Sequence, residues 1–505
     1  MIPFIDAFLN RVTMYRLMLY YLLFLLIAAV ILSFFSTTPY KPLDILLSAT
    51  ILTFLSYVTN KILAWMFNAV TNTESSLITG LILALLVDPG SKFIFLLLMA
   101  LLAMSSKYLI SVRGRHILNP AAFAALVAAL SVGQGSSWWV NNPMMAPFII
   151  LGGLLILHKI RRFQMVAIFL VTYLLLAGIV ERMEILERPL STLTDSLINS
   201  PILFFSFVML VEPLTSPTKR IFQLYYGAVV ALSYMMFQTR LVGFAPTLEL
   251  ALLTGNLFSY LLNPQIRMVL KLKEKQKIAR DIFNFTFEKE DTSNFMSGQF
   301  LEWTLPHQSP DSRGNRRFFT ISSSPTEKFI MLTVKIYKNG STFKRALLNL
   351  RPGDTINASN LAGEFTLLND PQKEYVFIAG GIGITPFRSM IKYLLDKKFS
   401  KEVTLLYSNK SKDEIVFKEI FDSAKKAFGL KTVYTLTDAL PNWKGRKGYI
   451  NEKMIKQEVL NYKGKLFYLS GPQPMVQSFE KILKNMGVSR KNIKVDYFPG
   501  YDLPA

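Results

Sequence analysis

Apolar residues are arranged in two ways along this chain, and the border between the two divides it. Up to about residue 263 they form long runs, roughly 17–36, 44–63, 75–88, 93–107, 118–134, 146–158, 164–180, 200–213, 222–238 and 244–263. A helix that crosses a bilayer needs about 20 apolar residues, so these runs predict a polytopic α-helical membrane domain of about ten spans. Several runs are too short, which predicts broken or re-entrant helices among them. One is "SSLITGLILALLVDPG", closed by Asp88, Pro89 and Gly90. Beyond Lys271 the texture changes, and "FNFTFEKE", "GQFLEWTLP", "RFFTISSSP" and "FIMLTVKIYKNG" alternate as antiparallel strands of a small β-barrel do. After Pro371 the strands "YVFIAG", "EVTLLYSN", "KTVYTLTD" and "LFYLSG" alternate with helical patterns, predicting an α/β domain on a parallel sheet. The expected domains are a membrane domain at 1–265, a barrel at 266–370 and an α/β domain at 371–505.

Charge sharpens the membrane half. Lys107, Arg113 and Arg115 follow the fourth run, Lys159, Arg161 and Arg162 the sixth, Lys219 and Arg220 the eighth, and Arg267, Lys271 and Lys273 the tenth. The loop after the fifth, "GQGSSWWVNNPMM", is uncharged and carries two tryptophans. Basic loops stay inside, so both termini and everything beyond about residue 265 are expected in the cytoplasm, on a bacterial cytoplasmic membrane. The net charge of +22 fits anionic lipid headgroups of that bilayer, with no nucleic-acid partner, because the basic residues flank apolar runs.

Composition removes several chemistries. With no cysteine among 505 residues, disulfides, thiolate-bound zinc, thiolate-held iron–sulfur clusters and cysteine nucleophiles are excluded. Only His116, His158 and His307 exist, too few for two haems each held by two histidines, and the first two are expected to be solvated in basic loops. No metal site is expected.

Three stretches carry candidate chemistry. In "YVFIAGGIGITPFRSMIKYLL" a strand runs into Gly381 and Gly383, with Thr385 as a helix N-cap and Pro386 as the first helical residue. Glycines let backbone amides approach a ligand, and a helix N-terminus favours phosphate. Upstream lies "RRFFTISSSP", and downstream, at another strand end, "FYLSGPQPMV". Singly, each also fits an ordinary core residue, cap or turn.

Together and in this order they resemble the ferredoxin–NADP⁺ reductase superfamily over residues 270–505. The flavin motif Arg-x-Tyr-Ser stands here as Arg317, Phe318, Phe319 and Thr320, followed by Ile321 and Ser322. The resemblance implies that Arg317 binds the FAD pyrophosphate, Phe319 packs on the isoalloxazine and Thr320 hydrogen-bonds near flavin N5. A planar cation, a ring and a hydroxyl suit those tasks. Gly340, Ser341 and Thr342 are implied as a second phosphate site at a helix start. Gly381 and Gly383 are implied to admit the nicotinamide of NADPH or NADH. Cys-Gly-Pro-x-x-Met becomes Ser470, Gly471, Pro472 and Met475, so a serine replaces the cysteine on the hydride path. In the terminal "VDYFPGY", Phe498 or Tyr501 is implied to cover the other flavin face. Ser408, Asn409 and Lys410 are candidates for a 2′-phosphate, without settling the nicotinamide cofactor.

In the apolar half, "SSLITGLILAL", "HILNPAAFAALVAAL", "FFSFVMLVEPLTSPTKR" and "LELALLTGNLFSYLLNP" resemble the D subunit of Rnf complexes and the B subunit of sodium-translocating NADH:quinone reductase. The resemblance implies a second flavin, FMN or riboflavin, between discontinuous helices, with Asn119 and Thr79 as candidate contacts. The Ser-Gly-Ala-Thr-like motif for covalent attachment is absent, so that flavin is expected to be non-covalent. Glu249 lies deep in the last run, where a carboxylate is costly and often functional. The expected function is a membrane flavoprotein oxidoreductase passing electrons from NAD(P)H through FAD and a membrane flavin to a quinone or a trans-membrane acceptor. Alternatives are an ion-coupled component of the same type, which needs partner subunits or an oligomer, and a transporter with a nucleotide-sensing domain.

Overall fold

The computed structural model describes residues 9, 12–35, 38–67, 73–112, 115–184, 197–238, 247–262, 268–288, 294–311, 314–337, 340–367, 374–399 and 402–498. The chain separates into two compact units, Met1–Ile266 and Arg267–Ala505.

The first unit is helical. Its helices are α1 (Met14–Phe34), α2 (Pro42–Met66), α3 (Thr73–Leu86), α4 (Phe93–Leu109), α5 (Pro120–Val132), α6 (Ala146–Ile160), α7 (Phe163–Glu184), α8 (Ile202–Phe204), α9 (Arg220–Gln238) and α10 (Leu248–Leu262). Between α4 and α5 sits a minimal hairpin, β1 (Ser111–Val112) and β2 (Arg115–His116). Among the described residues, only α1, α2 and the Phe163–Val180 part of α7 are long and apolar enough to cross a membrane. Helices α3, α4, α5, α6 and α10 are apolar but shorter. Beyond α8 the chain widens into a π-helical turn, Phe205–Met209, a distortion that often marks a functional site.

Several charges expected in solvated inner loops are part of this unit's interior. Lys107 belongs to the last turn of α4, Arg162 is 5% exposed, and His116 is 8% exposed. Outward faces carry Ile31, Phe54, Trp65, Leu151 and Leu175, all exposed. Apolar residues outside and paired polar residues within is the inverse of a water-soluble bundle.

The second unit begins with strands β3 (Met268–Ala279), β4 (Ile282–Glu288), β5 (Phe300–Thr304), β6 (Arg316–Thr320), β7 (Phe329–Lys335), helix α11 (Thr342–Asn349) and strand β8 (Thr355–Ala362). They form an antiparallel sheet in the order β6-β5-β8-β3-β4-β7. An antiparallel bridge between Ile321 and Leu332 joins the two edges, so the sheet closes into the expected barrel. Trp303, Phe285, Phe287, Ile330 and Leu332 fill it. Lys271 and Lys273, expected as inner-loop charges, are the outward positions of β3, whose Met268, Leu270 and Leu272 point in.

Next come β9 (Tyr375–Gly380), α12 (Thr385–Asp396), β10 (Val403–Asn409), α13 (Lys418–Phe428), β11 (Lys431–Leu436), β12 (Arg446–Lys447), α14 (Glu452–Glu458), β13 (Leu466–Pro472), α15 (Gln473–Asn485) and β14 (Ile493–Phe498). Their sheet is parallel, ordered β12-β11-β10-β9-β13-β14. Every residue of β9 is buried, as a central parallel strand requires, with Phe377 and Ala379 packing into one core and Val376 and Ile378 into another. The chain leaves β9 toward β10 and later returns to β13 on the other side. Between β9 and β13 lies the topological switch point, where open α/β sheets bind ligands at the carboxyl ends of their strands.

Candidate functional site

On the barrel, β6 projects Arg317 and Phe319 from one face, as the period of a strand requires. Arg317 Nη2 donates to Asp311 Oδ1 at 2.9 Å, and Nη1 to the carbonyls of Gly314 at 3.0 Å and Arg316 at 2.6 Å. Its guanidinium lies 5.3 Å from the ring of buried Phe343, and Phe319 packs against the same ring at 5.9 Å. Ser341 caps α11 by accepting from the Lys344 amide at 3.3 Å, with Gly340 just before it. The Thr342 amide donates to Asp311 Oδ2 at 3.2 Å, and Thr342 Oγ1 accepts from the Asp311 amide at 2.9 Å. The guanidinium and the helix N-terminus therefore converge on the Asp311 carboxylate, so both groups face one anion. Asp311 and Phe343 escaped the sequence reading because neither belongs to a motif.

The remaining motif residues divide. Thr320 is 3% exposed at the end of β6, whereas Phe318 is 56% exposed and meets Phe300 edge-on. Ile321 closes the barrel, and Ser322 Oγ donates to the Met331 carbonyl at 2.9 Å and lies 2.7 Å from Thr333 Oγ1. Both are thus committed to the barrel itself.

At the switch point, Gly381–Ile384 makes a 3-10 turn that runs directly into α12. Thr385 is consequently the first residue of α12 and not its N-cap; its hydroxyl donates to the Ile382 carbonyl at 3.2 Å, and Pro386 follows it. Gly381 has φ of +53°, and a Cβ there would meet nothing within 4 Å. A Cβ on Gly383 would lie 2.4 Å from the Ser470 carbonyl oxygen, so the two strand ends approach backbone to backbone. Gly471 and Met475 sit against Gly380, and Pro472 ends β13 opposite Phe498 of β14. Tyr501 lies outside the described residues. Ser470 is fully buried, and its Oγ has no partner among the described residues. The open side of Gly381, with the orphaned Ser470 hydroxyl on the neighbouring strand end, suits a flat ligand entering against backbone. FAD and a nicotinamide therefore fit the residues present. At the end of β10 both side-chain polar atoms of buried Asn409 are likewise without a partner, while Lys410 pairs with Asp438 at 3.8 Å.

In the helical unit, Thr79 and Asn119 line one cavity of about 60 Å³ with Tyr15, Ser75 and Glu212. Lys107 Nζ reaches the Ser75 carbonyl at 3.1 Å and Thr79 Oγ1 at 2.9 Å. Glu212 accepts from Asn119 Nδ2 at 2.9 Å and from Thr215 Oγ1 at 3.0 Å, with His116 Nε2 at 3.3 Å. The Asn119 amide donates to Asn256 Oδ1 at 2.8 Å. Gly80 abuts α2, where a Cβ would stand 2.7 Å from the Thr53 Cα. Buried Glu249 accepts from the Ser136 hydroxyl. Helix α3 ends inside the unit, and the Ser137 and Trp138 amides, both at 2.9 Å, cap its Leu86 carbonyl. Irregular backbone at depth is tolerated where it is satisfied in this way.

Residues 269–367 match the oxidoreductase FAD-binding domain family and residues 377–481 the oxidoreductase NAD-binding domain family. The chain is 36% identical over 200 residues to the F subunit of the Na(+)-translocating NADH-quinone reductase of Neisseria gonorrhoeae, covering 36% of this chain and 49% of that protein. It is 26% identical over 289 residues to NADH-cytochrome b5 reductase 1 of Coccidioides immitis, covering 53% of this chain and 93% of that protein. Among solved structures, the cytochrome b5 reductase domain of Ulva prolifera nitrate reductase aligns at 25% identity and a TM-score of 0.42, covering 46% of this chain and 97% of that one. The chain spans about half the length of the Neisseria relative. Residues 269–481 carry the paired FAD- and NAD-binding domains of an NAD(P)H–flavin oxidoreductase of the ferredoxin-reductase type.

Proposed function

We propose that this chain is a membrane flavoprotein oxidoreductase that takes a hydride from cytoplasmic NADH or NADPH and sends electrons through its helical unit to a quinone or a trans-membrane acceptor. The observation that carries this is the joining, in one chain, of matched FAD- and NAD-binding domains to a helical unit with apolar outer faces and paired polar residues inside. Bound FAD supplies the step from a two-electron hydride to single electrons. Arg317, Ser341 and the Thr342 amide hold its pyrophosphate, Phe319 packs on its ring, and Thr320 hydrogen-bonds at its reactive edge. Phe498 or Tyr501 covers the opposite face. Gly381, Gly383, Gly471, Pro472 and Met475 shape the nicotinamide slot, while Ser470 holds a hydroxyl beside it.

In the helical unit we place a second, non-covalent flavin, FMN or riboflavin, near Thr79 and Asn119. The cavity there is about 60 Å³, against roughly 300 Å³ or more for a small-molecule pocket, so a ring system requires the helices to part. About ten spans with both termini in the cytoplasm is the topology that Arg161 and Lys219, charges that lie between helices, support. A second arrangement, ion coupling together with partner subunits, is favoured by the name of the Neisseria relative and by buried Glu249. Purified full-length protein in mild detergent, extracted with acid, tests the proposal. FAD plus a second released flavin supports the relay. FAD alone, one per chain, reduces the protein to an anchored reductase.

A further inference from the structure

The flavin strand and the nicotinamide turn belong to different sheets, yet two adjacent side chains of α12 tie them together. Arg388 Nη1 donates to the Ser322 carbonyl at 3.0 Å and to Glu327 Oε2, and Nη2 donates to Glu327 Oε1 at 2.8 Å. Glu327 Oε2 also accepts from the Ser324 amide at 2.5 Å. Ser389 Oγ donates to the Ser323 carbonyl at 2.6 Å. The ion pair is buried, with its side chains 5% and 10% exposed, and Phe417 lies 5.7 Å from the Arg388 guanidinium. Ser322 and Ser323 are thus held directly from the start of α12, immediately after Gly381–Ile384, and Ser324 through Glu327. They follow Thr320 and Ile321 directly.

We propose that Arg388, with Ser389 and Glu327, is a positioning clamp that sets the distance between the flavin edge at Thr320 and the nicotinamide slot at Gly381–Gly383. This rests on the hydride-transfer reading above. Stability alone is a poor reason for the pair, because a buried ion pair is often matched or bettered by apolar residues of the same volume. A bidentate fork instead fixes both distance and plane. Hydride transfer is sensitive to that distance: reacting atoms must come within about 3–3.5 Å, and a misplacement of about 1 Å costs on the order of a hundredfold. Arg388 touches neither expected ligand in this role. It acts by holding the carbonyl of Ser322.

The test uses the full chain with Arg388→Met, Arg388→Lys, Ser389→Ala and Glu327→Gln. FAD affinity is read by flavin fluorescence, NAD(P)H turnover with ferricyanide as acceptor, and local opening by amide hydrogen exchange at Ser322–Glu327. The expected result is FAD affinity within about threefold of the unaltered chain, KM nearly constant, and kcat down about a hundredfold for Arg388→Met. Arg388→Lys, with one nitrogen in place of a two-nitrogen planar fork, recovers part of kcat, and Ser389→Ala and Glu327→Gln fall between. Exchange quickens at Ser324 in step with the loss of kcat. Unchanged kcat with quickened exchange overturns the proposal and leaves a plain structural tie. FAD lost together with kcat also overturns it, by making Arg388 a flavin anchor. If Arg388→Met does not fold, the other three variants decide by the same criteria. An unaltered chain that binds FAD but never oxidises NAD(P)H overturns the hydride reading itself, and the clamp falls with it.

Discussion

In residues 1–266 the inward charged side chains find partners within the protein. Glu212 is matched by His116, Asn119 and Thr215, Lys107 by Ser75 and Thr79, and Arg162 by the Ser216 hydroxyl and the Val211 carbonyl at 3.4 Å. At the switch point of residues 267–505 the reverse holds. Ser470 Oγ is unmatched among the described residues where Gly383 meets the Ser470 backbone, and both polar atoms of Asn409 are unmatched at the end of neighbouring β10; among the described residues of the helical unit the unmatched groups are the hydroxyls of Thr53 and Ser56, not charges. Unmatched buried groups are costly and rare, so they point to where a ligand's own groups belong. Matched ones build a scaffold at depth and say less about chemistry. The reductase half yields residue-level roles because two domain families match it, whereas the helical half yields a cluster.

Breaking the matched cluster has the largest expected effect. Glu212→Ala strands His116 and the Asn119 side-chain Nδ2, and costs the helical unit about 3 kcal/mol, read as a lowered melting point in detergent. NAD(P)H-driven reduction of bound FAD remains unchanged, since it needs only the other unit. Next comes the slot: Gly383→Ala drives a methyl into the Ser470 carbonyl and slows FAD bleaching by NAD(P)H about a hundredfold in stopped flow, with FAD content preserved. Arg317→Gln removes a charge-assisted contact worth about 1.5–3 kcal/mol, so FAD binds roughly tenfold or more weakly by fluorescence titration.

The smallest effect concerns Lys465, which lies 2.7 Å from both Glu374 and Glu402 at the start of β13. The hydrogen bond from Lys465 holds the Glu402 carboxyl below its ordinary 4.5. Burial pushes Lys465 down, but its bonds to Glu374 and Glu402 outweigh this and leave it above 10.5. The Glu402 contribution is therefore complete above pH 4.5 and lost as pH falls through its lowered value. That of Lys465 is complete below 10.5 and lost as pH rises through its raised value. Lys465→Met removes this plateau, by less than about 1 kcal/mol because both carboxylates are solvent-screened. Thermal release of FAD followed across that pH range checks it.

Short apolar and aromatic runs between turn residues are enough to read the barrel and the parallel sheet, because β4, β5 and β7 are mostly buried and β9 wholly so. Strand β3 alternates over Met268–Lys273, yet its outward Lys271 and Lys273 read as the basic loop that follows the last apolar run. The flavin and nicotinamide motifs are legible as residue types in order. Their supports are not: an arginine in a helix reads as surface, and only the fold turns Arg388 toward Ser322 and Glu327. In the helical unit, run lengths point to the helices, but Lys107 and Arg162 read as loop charges. Their partners, Thr79 and Ser216, lie 28 and 54 residues away, too far for any local pattern to reveal.

The most direct measurement is an anaerobic reductive titration of the full-length protein in lipid nanodiscs, counting NADH equivalents per chain against flavin absorbance. An electron relay through the helical unit predicts two equivalents, the first bleaching FAD and the second a flavin that persists when residues 267–505 are removed. A single equivalent, with all flavin lost on that truncation, contradicts it.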